Sequence, residues 1–191
     1  FKSMADFQVY EEVPFSSLSP AQQASLIDTR WVHRRKPDGS ARSRLVCRGF
    51  SEAIDSVDDV YAATPTFTSL KALLIFALNF NHTIFLGDIS TAFLHTPTHQ
   101  DLFVEPPAEF ESTLNLKEGD RSVWRLLRAM YGLKSAPKSW QTHLTHVLTN
   151  VGLIQSKADP CMFRSSDKDL RLLVYVDDVL ISGADPQAVQ D

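Results

Sequence analysis

Two adjacent aspartates, Asp177 and Asp178, interrupt the apolar run LLVYVDDVLISG from Leu172 to Gly183. A carboxylate removed from water without a partner is costly, so the pair requires a cation, a basic side chain or an exposed turn. An Asp-rich turn open to water would by itself account for two such residues. The flanks argue for more, because the apolar arms LLVYV and VLI read as a central hairpin whose tip projects two carboxylates from a rigid base. Hard divalent cations suit these oxygens, and magnesium commonly takes one or two carboxylates together with substrate phosphates. A third acid, Asp88, closes another apolar stretch, TIFLGD, and an antiparallel pairing would bring it beside the hairpin tip. Three carboxylates so grouped repel one another unless metal neutralises them. Two ions about 3.5–4 Å apart could then clamp the attacking and leaving oxygens of a phosphoryl transfer.

The elements that must position these acids are legible from pattern. WVHRR and ARSRLVC flank the turn-forming PDG at 37–39 and predict a basic hairpin. A core helix is expected from about Thr68 to Asn79, capped by Thr66 or Thr68. HTIFLGD reads as a strand ending on Asp88, and the proline-rich stretch from Pro97 to Phe110 as an extended loop with one short strand. Pro137 opens a second helix whose apolar positions are Trp140, Leu144, Val147, Leu148 and Val151, and Gly152 stops it. CMFR and LLVYV then lead into DDVLISG through a very tight turn.

Composition narrows the field. At 191 residues, 43% apolar and 22% charged, the chain suffices for one domain, or one with a small lobe. Cys47 and Cys161 are too few for a disulfide framework or a zinc cluster, which fits a reducing compartment. The longest apolar run, ALLIFALNF, falls well short of the roughly 20 residues a membrane span needs. The chain begins with Phe1 and shows no signal-peptide pattern, as expected of a piece of something longer. The net charge of −4 argues against a nucleic-acid partner until its distribution is considered. Between Arg30 and Arg48 seven basic residues stand against one acid, a local +6 that leaves −10 elsewhere. Such a split predicts a basic lobe set against an acidic one.

Five ordered blocks, WVHRRKPDGSARSRLVCRGF, GDISTAFLHTP, LFVEPP, MYGLKSAPKSW and LLVYVDDVLISG, give the chain a recognisable likeness. From about Trp31 onward it resembles the reverse transcriptase of copia-type long-terminal-repeat retrotransposons. The resemblance implies an α+β fold: a fragment of a right-handed polymerase with an antiparallel palm sheet packed on helices, a fingers subdomain and no thumb. On that basis residues 1–27 are an irregular lead-in, 28–87 mostly fingers, and 88–191 mostly palm, stopping before the primer grip and thumb. The implied activity is RNA-directed DNA synthesis, by attack of a primer 3′-hydroxyl on a dNTP under two Mg2+ ions, with Mn2+ able to substitute. Asp88 and Asp177 match the metal-binding aspartates, Asp178 the second turn aspartate, and the carbonyl of Ile89 a further ligand. Phe93 matches the aromatic gate that excludes a ribose 2′-hydroxyl, although an ordinary core phenylalanine would fit TAFL as well. Tyr131 and Gly132 match the block lining the nucleotide sugar and template, with Lys134 in reach of phosphate. Arg42 and Arg44 are the candidates for gripping the triphosphate, with Arg35 and Lys36 nearby. Ser135 stands where the family usually has Gln, and Lys138 where it usually has Arg. The implied partners are an RNA/DNA primer-template, dNTP and the remaining polyprotein domains (thumb, ribonuclease H and integrase), with no membrane. The implied location is cytoplasmic virus-like particles, with the nucleus as second compartment. A competing reading is a truncated, catalytically silent remnant that at most binds nucleic acid; a metal-dependent nuclease or phosphatase would explain the acids but not GLKSAP.

Overall fold

The computed structural model describes residues 2–54, 56–98, 100–165 and 167–187. Phe1, at the head of the expected lead-in, and residues 188–191, at the end of the expected palm segment, lie outside them. In chain order the elements are α1 (Lys2–Asp6), β1 (Tyr10–Pro14), α2 (Pro20–Ala24), β2 (Thr29–Arg35), β3 (Ala41–Cys47), α3 (Phe67–Asn79) and β4 (Thr83–Asp88). They continue with β5 (Phe103–Val104), β6 (Ser122–Leu126), α4 (Ala136–Asn150), β7 (Leu153–Gln155), β8 (Met162–Ser165), β9 (Leu170–Tyr175) and β10 (Asp178–Gly183). The mixture of helices and antiparallel sheets agrees with the expected α+β class.

The chain divides into two compact units. The first is Phe1–Tyr61 with Phe93–Ser139, and the second is Ala62–Ala92 with Trp140–Asp191. These boundaries differ from the expected breaks at 27 and 87, because the segment after Phe93 joins the amino-terminal residues.

In the first unit β1, β6 and β5 form a sheet in that order, and β2 pairs with β3 as a separate ribbon. The expected irregular lead-in is a correction: it contains α1, β1 and α2 and buries Met4, Val9, Leu18 and Ile27. Its order has a local cause in SSLSP. Ser19 accepts from the Gln22 N–H while the Gln22 side chain accepts from the Ser19 N–H, a reciprocal cap with Pro20 at the first helical position. β1 then pairs with β6, whose Val123, Trp124 and Leu126 are almost wholly buried. β6 has apolar residues on both faces, so it lacks the alternation by which a strand is recognised.

The second unit is built on a five-stranded antiparallel sheet, β4-β10-β9-β8-β7 among the described residues. The expected helix is α3; Thr66 caps it, its hydroxyl accepting from the Ser69 N–H. One stripe of α3 is buried, through Leu73 and Ala77, and Leu73 packs against Cys161 and Leu173. Ile75 and Leu78 face out, so α3 is a half-buried rather than a core helix. α4 begins at Ala136, with Pro137 in its first turn where the missing N–H costs nothing. Of its expected apolar positions Trp140 and Leu144 are buried, whereas Val147 and Val151 are exposed. Among the described residues no helix is long and apolar enough to cross a membrane.

Candidate active site

Asp178 opens β10 and Asp88 closes β4, and the register sets the two directly opposite each other. Opposed residues of an antiparallel pair share a face, so Leu86 with Leu180 and Asp88 with Asp178 lie along one side of the sheet. Asp177 occupies the two-residue turn with Val176, between the paired residues Tyr175 and Asp178. Its carbonyl accepts the Ile89 N–H at 2.7 Å, tying the turn to the residue after Asp88. The four groups expected from the sequence, Asp88, Ile89, Asp177 and Asp178, are therefore backbone neighbours at this end of the sheet, two in the ladder and two joined by the hydrogen bond just beyond it.

Their side chains are less convergent than expected. Among the described residues no group of three or more His, Cys, Asp or Glu side chains is arranged to hold a metal ion. The backbone places Asp88 and Asp178 on one face but leaves Asp177 on the turn, outside the ladder, and like-charged carboxylates favour separation. The donor set still suits magnesium, being carboxylate and carbonyl oxygens, and that ion ordinarily completes its shell with water and phosphate.

The tip rests on a packed base. On the Leu86–Leu180 face, α3 brings Leu73 and Leu70 against Leu173 and Leu180. An open apolar groove of about 380 Å³ runs beneath, with Phe67, Leu70 and Leu86 among its walls and Asp178 at its lip. Asp159, which sequence reasoning missed, fastens α3 to this base. Its carboxylate accepts from the Thr66 N–H at 3.1 Å, the Cys161 N–H at 2.9 Å and the Ser69 hydroxyl. Burial alone would raise its pKa, but the hydrogen bonds from Ser69, Thr66 and Cys161 prevail and hold it below the ordinary carboxylate value. Burial, assisted by Asp159, pushes the Cys161 thiol up to about 11, so it is no nucleophile at neutral pH. Trp140 lends the turn a hydrogen bond, donating its indole N–H to the Val176 carbonyl at 2.7 Å.

The remaining predicted residues belong to the first unit. In the β2–β3 ribbon Arg30 opposes Val46, Val32 opposes Arg44 and Arg34 opposes Arg42, which puts four arginines on one face. An open groove of about 590 Å³ has Arg30, Arg48, Val32, Val46 and Phe50 among its walls. The Arg44 guanidinium lies 5.1 Å over the Tyr131 ring, and Tyr131 meets Phe93 edge to face at 4.9 Å. Phe93 and Tyr131 are half-buried at the margin of the core, neither wholly interior nor free of it.

Gly132 and Lys134 serve the local backbone. Gly132 takes φ +92°, and a Cβ there would collide with the Cys47 carbonyl, while a Cβ on Gly49 would collide with the Gly132 carbonyl. The Lys134 ammonium donates to the carbonyls of Phe50 at 2.9 Å and Glu52 at 3.1 Å. Glu52, also missed from sequence, is buried and accepts from the backbone N–H groups of Lys134 and Ser135 and from the Ser135 hydroxyl. A carboxylate at the start of α4 satisfies donors that the helix leaves open. Ser135, where the family usually carries Gln, is thus turned inward to Glu52. Cys47, the last residue of β3, donates its N–H to the Tyr131 carbonyl, and burial together with Glu52 pushes its thiol up to about 12.

The sequence carries the same likeness across its length. The reverse transcriptase (RNA-dependent DNA polymerase) family matches residues 14–191. The retrovirus-related Pol polyprotein from transposon TNT 1-94 of Nicotiana tabacum is 31% identical over 166 residues, 82% of this chain and 12% of that protein. The corresponding polyprotein from transposon RE1 of Arabidopsis thaliana is 30% identical over 176 residues, 87% of this chain and again 12% of the relative. A Ty1-DR5 Gag-Pol polyprotein of Saccharomyces cerevisiae is 27% identical over 165 residues, 85% of this chain and 9% of the relative. The chain thus spans about an eighth of the plant relatives' length, and with the hairpin acids in family order it belongs to the reverse transcriptase family, as a domain of the copia-type retrotransposon kind.

Proposed function

We propose that this chain supplies the nucleotidyl-transfer centre of an RNA-directed DNA polymerase, with the five-stranded sheet that carries Asp88 and Asp178 as palm and the basic ribbon as part of the fingers. The observation that carries the reading is the direct opposition of Asp88 and Asp178, with Asp177 in the adjoining turn and its carbonyl bound to Ile89. Asp88 and Asp177 would hold two divalent cations, with Asp178 and the Ile89 carbonyl beside them. When bound, such ions lower the pKa of an attacking 3′-hydroxyl and stabilise a departing pyrophosphate.

The chain's own side chains do the rest. Arg42 and Arg44 are positioned on the open ribbon to take a triphosphate, and Arg44 orders the Tyr131 ring by lying over it. Phe93, braced edge to face by Tyr131, is the sugar gate. Lys134, whose ammonium is engaged by two carbonyls, contributes to this role by fixing the loop rather than by reaching phosphate. Substrates are a primer-template of RNA and DNA with dNTP, and the setting is a polyprotein working in cytoplasmic particles.

The test is primer extension on an RNA template with Mg2+ or Mn2+, using the chain within its polyprotein. Synthesis should occur and should vanish in Asp177→Asn. Persistent synthesis in that variant removes the metal assignment. Phe93→Val should admit ribonucleotides, and unchanged sugar discrimination returns Phe93 to the core.

A further inference from the structure

The turn bearing Asp177 has a conformation that its sequence disfavours. Val176 takes φ +57°, while Asp177 is not among the residues with positive φ. In a two-residue hairpin loop that combination marks a type II′ turn, whose first central position ordinarily calls for glycine. A β-branched residue there persists only where the surroundings over-determine it. The alternative type I′ turn, with both central residues at positive φ, requires the Val176–Asp177 peptide to flip. The oxygen of that peptide is the Val176 carbonyl, and it is the atom that the Trp140 indole N–H holds at 2.7 Å. Trp140 is only 4% exposed and stands near the start of α4.

The peptide on the other side of Asp177 is held as well, because the Asp177 carbonyl accepts the Ile89 N–H at 2.7 Å. With both flanking peptide planes fixed, φ and ψ of Asp177 are fixed. The direction of its Cα–Cβ bond follows. One anchor comes from α4 and the other from the residue after Asp88. We infer that Trp140 is a positioning residue: its indole N–H locks the Val176–Asp177 peptide and so aims the Asp177 carboxylate at the cation it binds. This inference rests on the proposed metal role of Asp177 and adds the group that orients it. Ordinary core packing would also bury the ring and find its N–H an acceptor, but packing alone predicts lost stability without changed ion affinity.

The experiment is Mn2+ binding to this chain, followed by the electron paramagnetic resonance signal of the free ion, with thermal unfolding measured on each variant. Trp140→Phe keeps a buried ring and deletes the donor. Its Mn2+ affinity should fall about tenfold, the effect usual for a residue that orients a ligand, while unfolding stays cooperative. Val176→Gly adopts positive φ freely, so Trp140→Phe should cost less affinity in that background than alone. Asp177→Asn is the reference arm. If it loses affinity while Trp140→Phe binds as the wild type does, the positioning role is overturned and the metal site stands. If Asp177→Asn itself binds normally, the metal assignment falls and this inference with it. Should Trp140→Phe fail to fold, the wild-type chain decides, labelled with 15N at tryptophan and Asp177. On Mg2+ titration the Trp140 indole N–H resonance should shift with the same half-saturation as the Asp177 amide, and an indole that stays still while that amide moves overturns the proposal.

Discussion

The molecule contains two hairpins of opposite charge, and they are built differently. The acidic pair, β9 and β10, is flanked by β8 on one side and β4 on the other, with α3 against it. The basic pair, β2 and β3, forms a ribbon whose strands pair only with each other among the described residues. A lone two-stranded ribbon is marginal and bends readily, whereas a pair inside a sheet is held on both edges. The difference matches what each charge is suited to. Carboxylates that share ions must be placed within a few tenths of an ångström, and guanidinium groups meeting a polyphosphate tolerate a moving base.

The largest contrast should appear in turnover. Asp88→Asn is expected to reduce primer extension to background, because its position opposite Asp178 has no substitute. Arg42→Ala should retain turnover at saturating dNTP, raise the KM for dNTP about tenfold, and flatten the salt dependence of binding, as the loss of one phosphate contact predicts. Steady-state kinetics at two salt concentrations separates them. Equal loss of kcat in both variants would abolish the distinction between a rigid and a compliant hairpin.

Stability should divide the same way. Leu173→Ala empties a buried site beneath the acidic tip and should cost about 3 kcal/mol in urea unfolding. Val32→Ala on the ribbon removes a side chain that is already 41% exposed and should cost less than about 0.5 kcal/mol. Similar costs would mean that the ribbon is as firmly packed as the sheet.

How much of this was readable in the sequence depended on whether the signal was local. TIFLGD, the capped α3 and the apolar arms around Asp177 carry their pattern in consecutive residues, and they appear at the expected positions. β6 and β1 were not readable, because a strand buried on both faces loses its alternation and its partner lies far away in sequence. Within the site, the neighbourhood of Asp88 with Asp177 and Asp178 was foreseen, but the departure of Asp177 from the shared face was not, since it depends on turn geometry. Glu52 and Asp159 were missed for one reason: each satisfies backbone donors brought up from residues some eighty to ninety positions away. Their only sequence trace is an acid beside a turn, which describes many surface residues.

Acid should weaken the sheet side of the comparison through Asp159. The Asp159 carboxyl is held below its ordinary value of 3.8 in the folded chain. Its contribution is therefore complete above that value, and it is lost as pH falls through the lowered folded pKa. Asp159→Asn should cost about 1–2 kcal/mol at neutral pH and should flatten the fall of stability below pH about 4. The measurement is urea unfolding at a series of pH values. An unchanged acid limb in the variant would assign the acid sensitivity to other carboxylates.

The last contrast lies in the two turns themselves. The ribbon turn follows the local rule, with Gly39 at φ +83° and open space where a Cβ would stand. The acidic turn breaks it, with Val176 at φ +57°. Gly39→Ala should therefore destabilise by about 1 kcal/mol through backbone strain alone. Val176→Gly should do the opposite by a similar or smaller amount, because relief of positive φ slightly outweighs the entropy that glycine adds to the unfolded chain. Because glycine accepts the same turn and Trp140 still holds the Val176–Asp177 peptide, turnover should hold while stability rises. A variant that gains stability but loses turnover would show that strain at Val176, rather than the Trp140 hydrogen bond, sets the direction of Asp177.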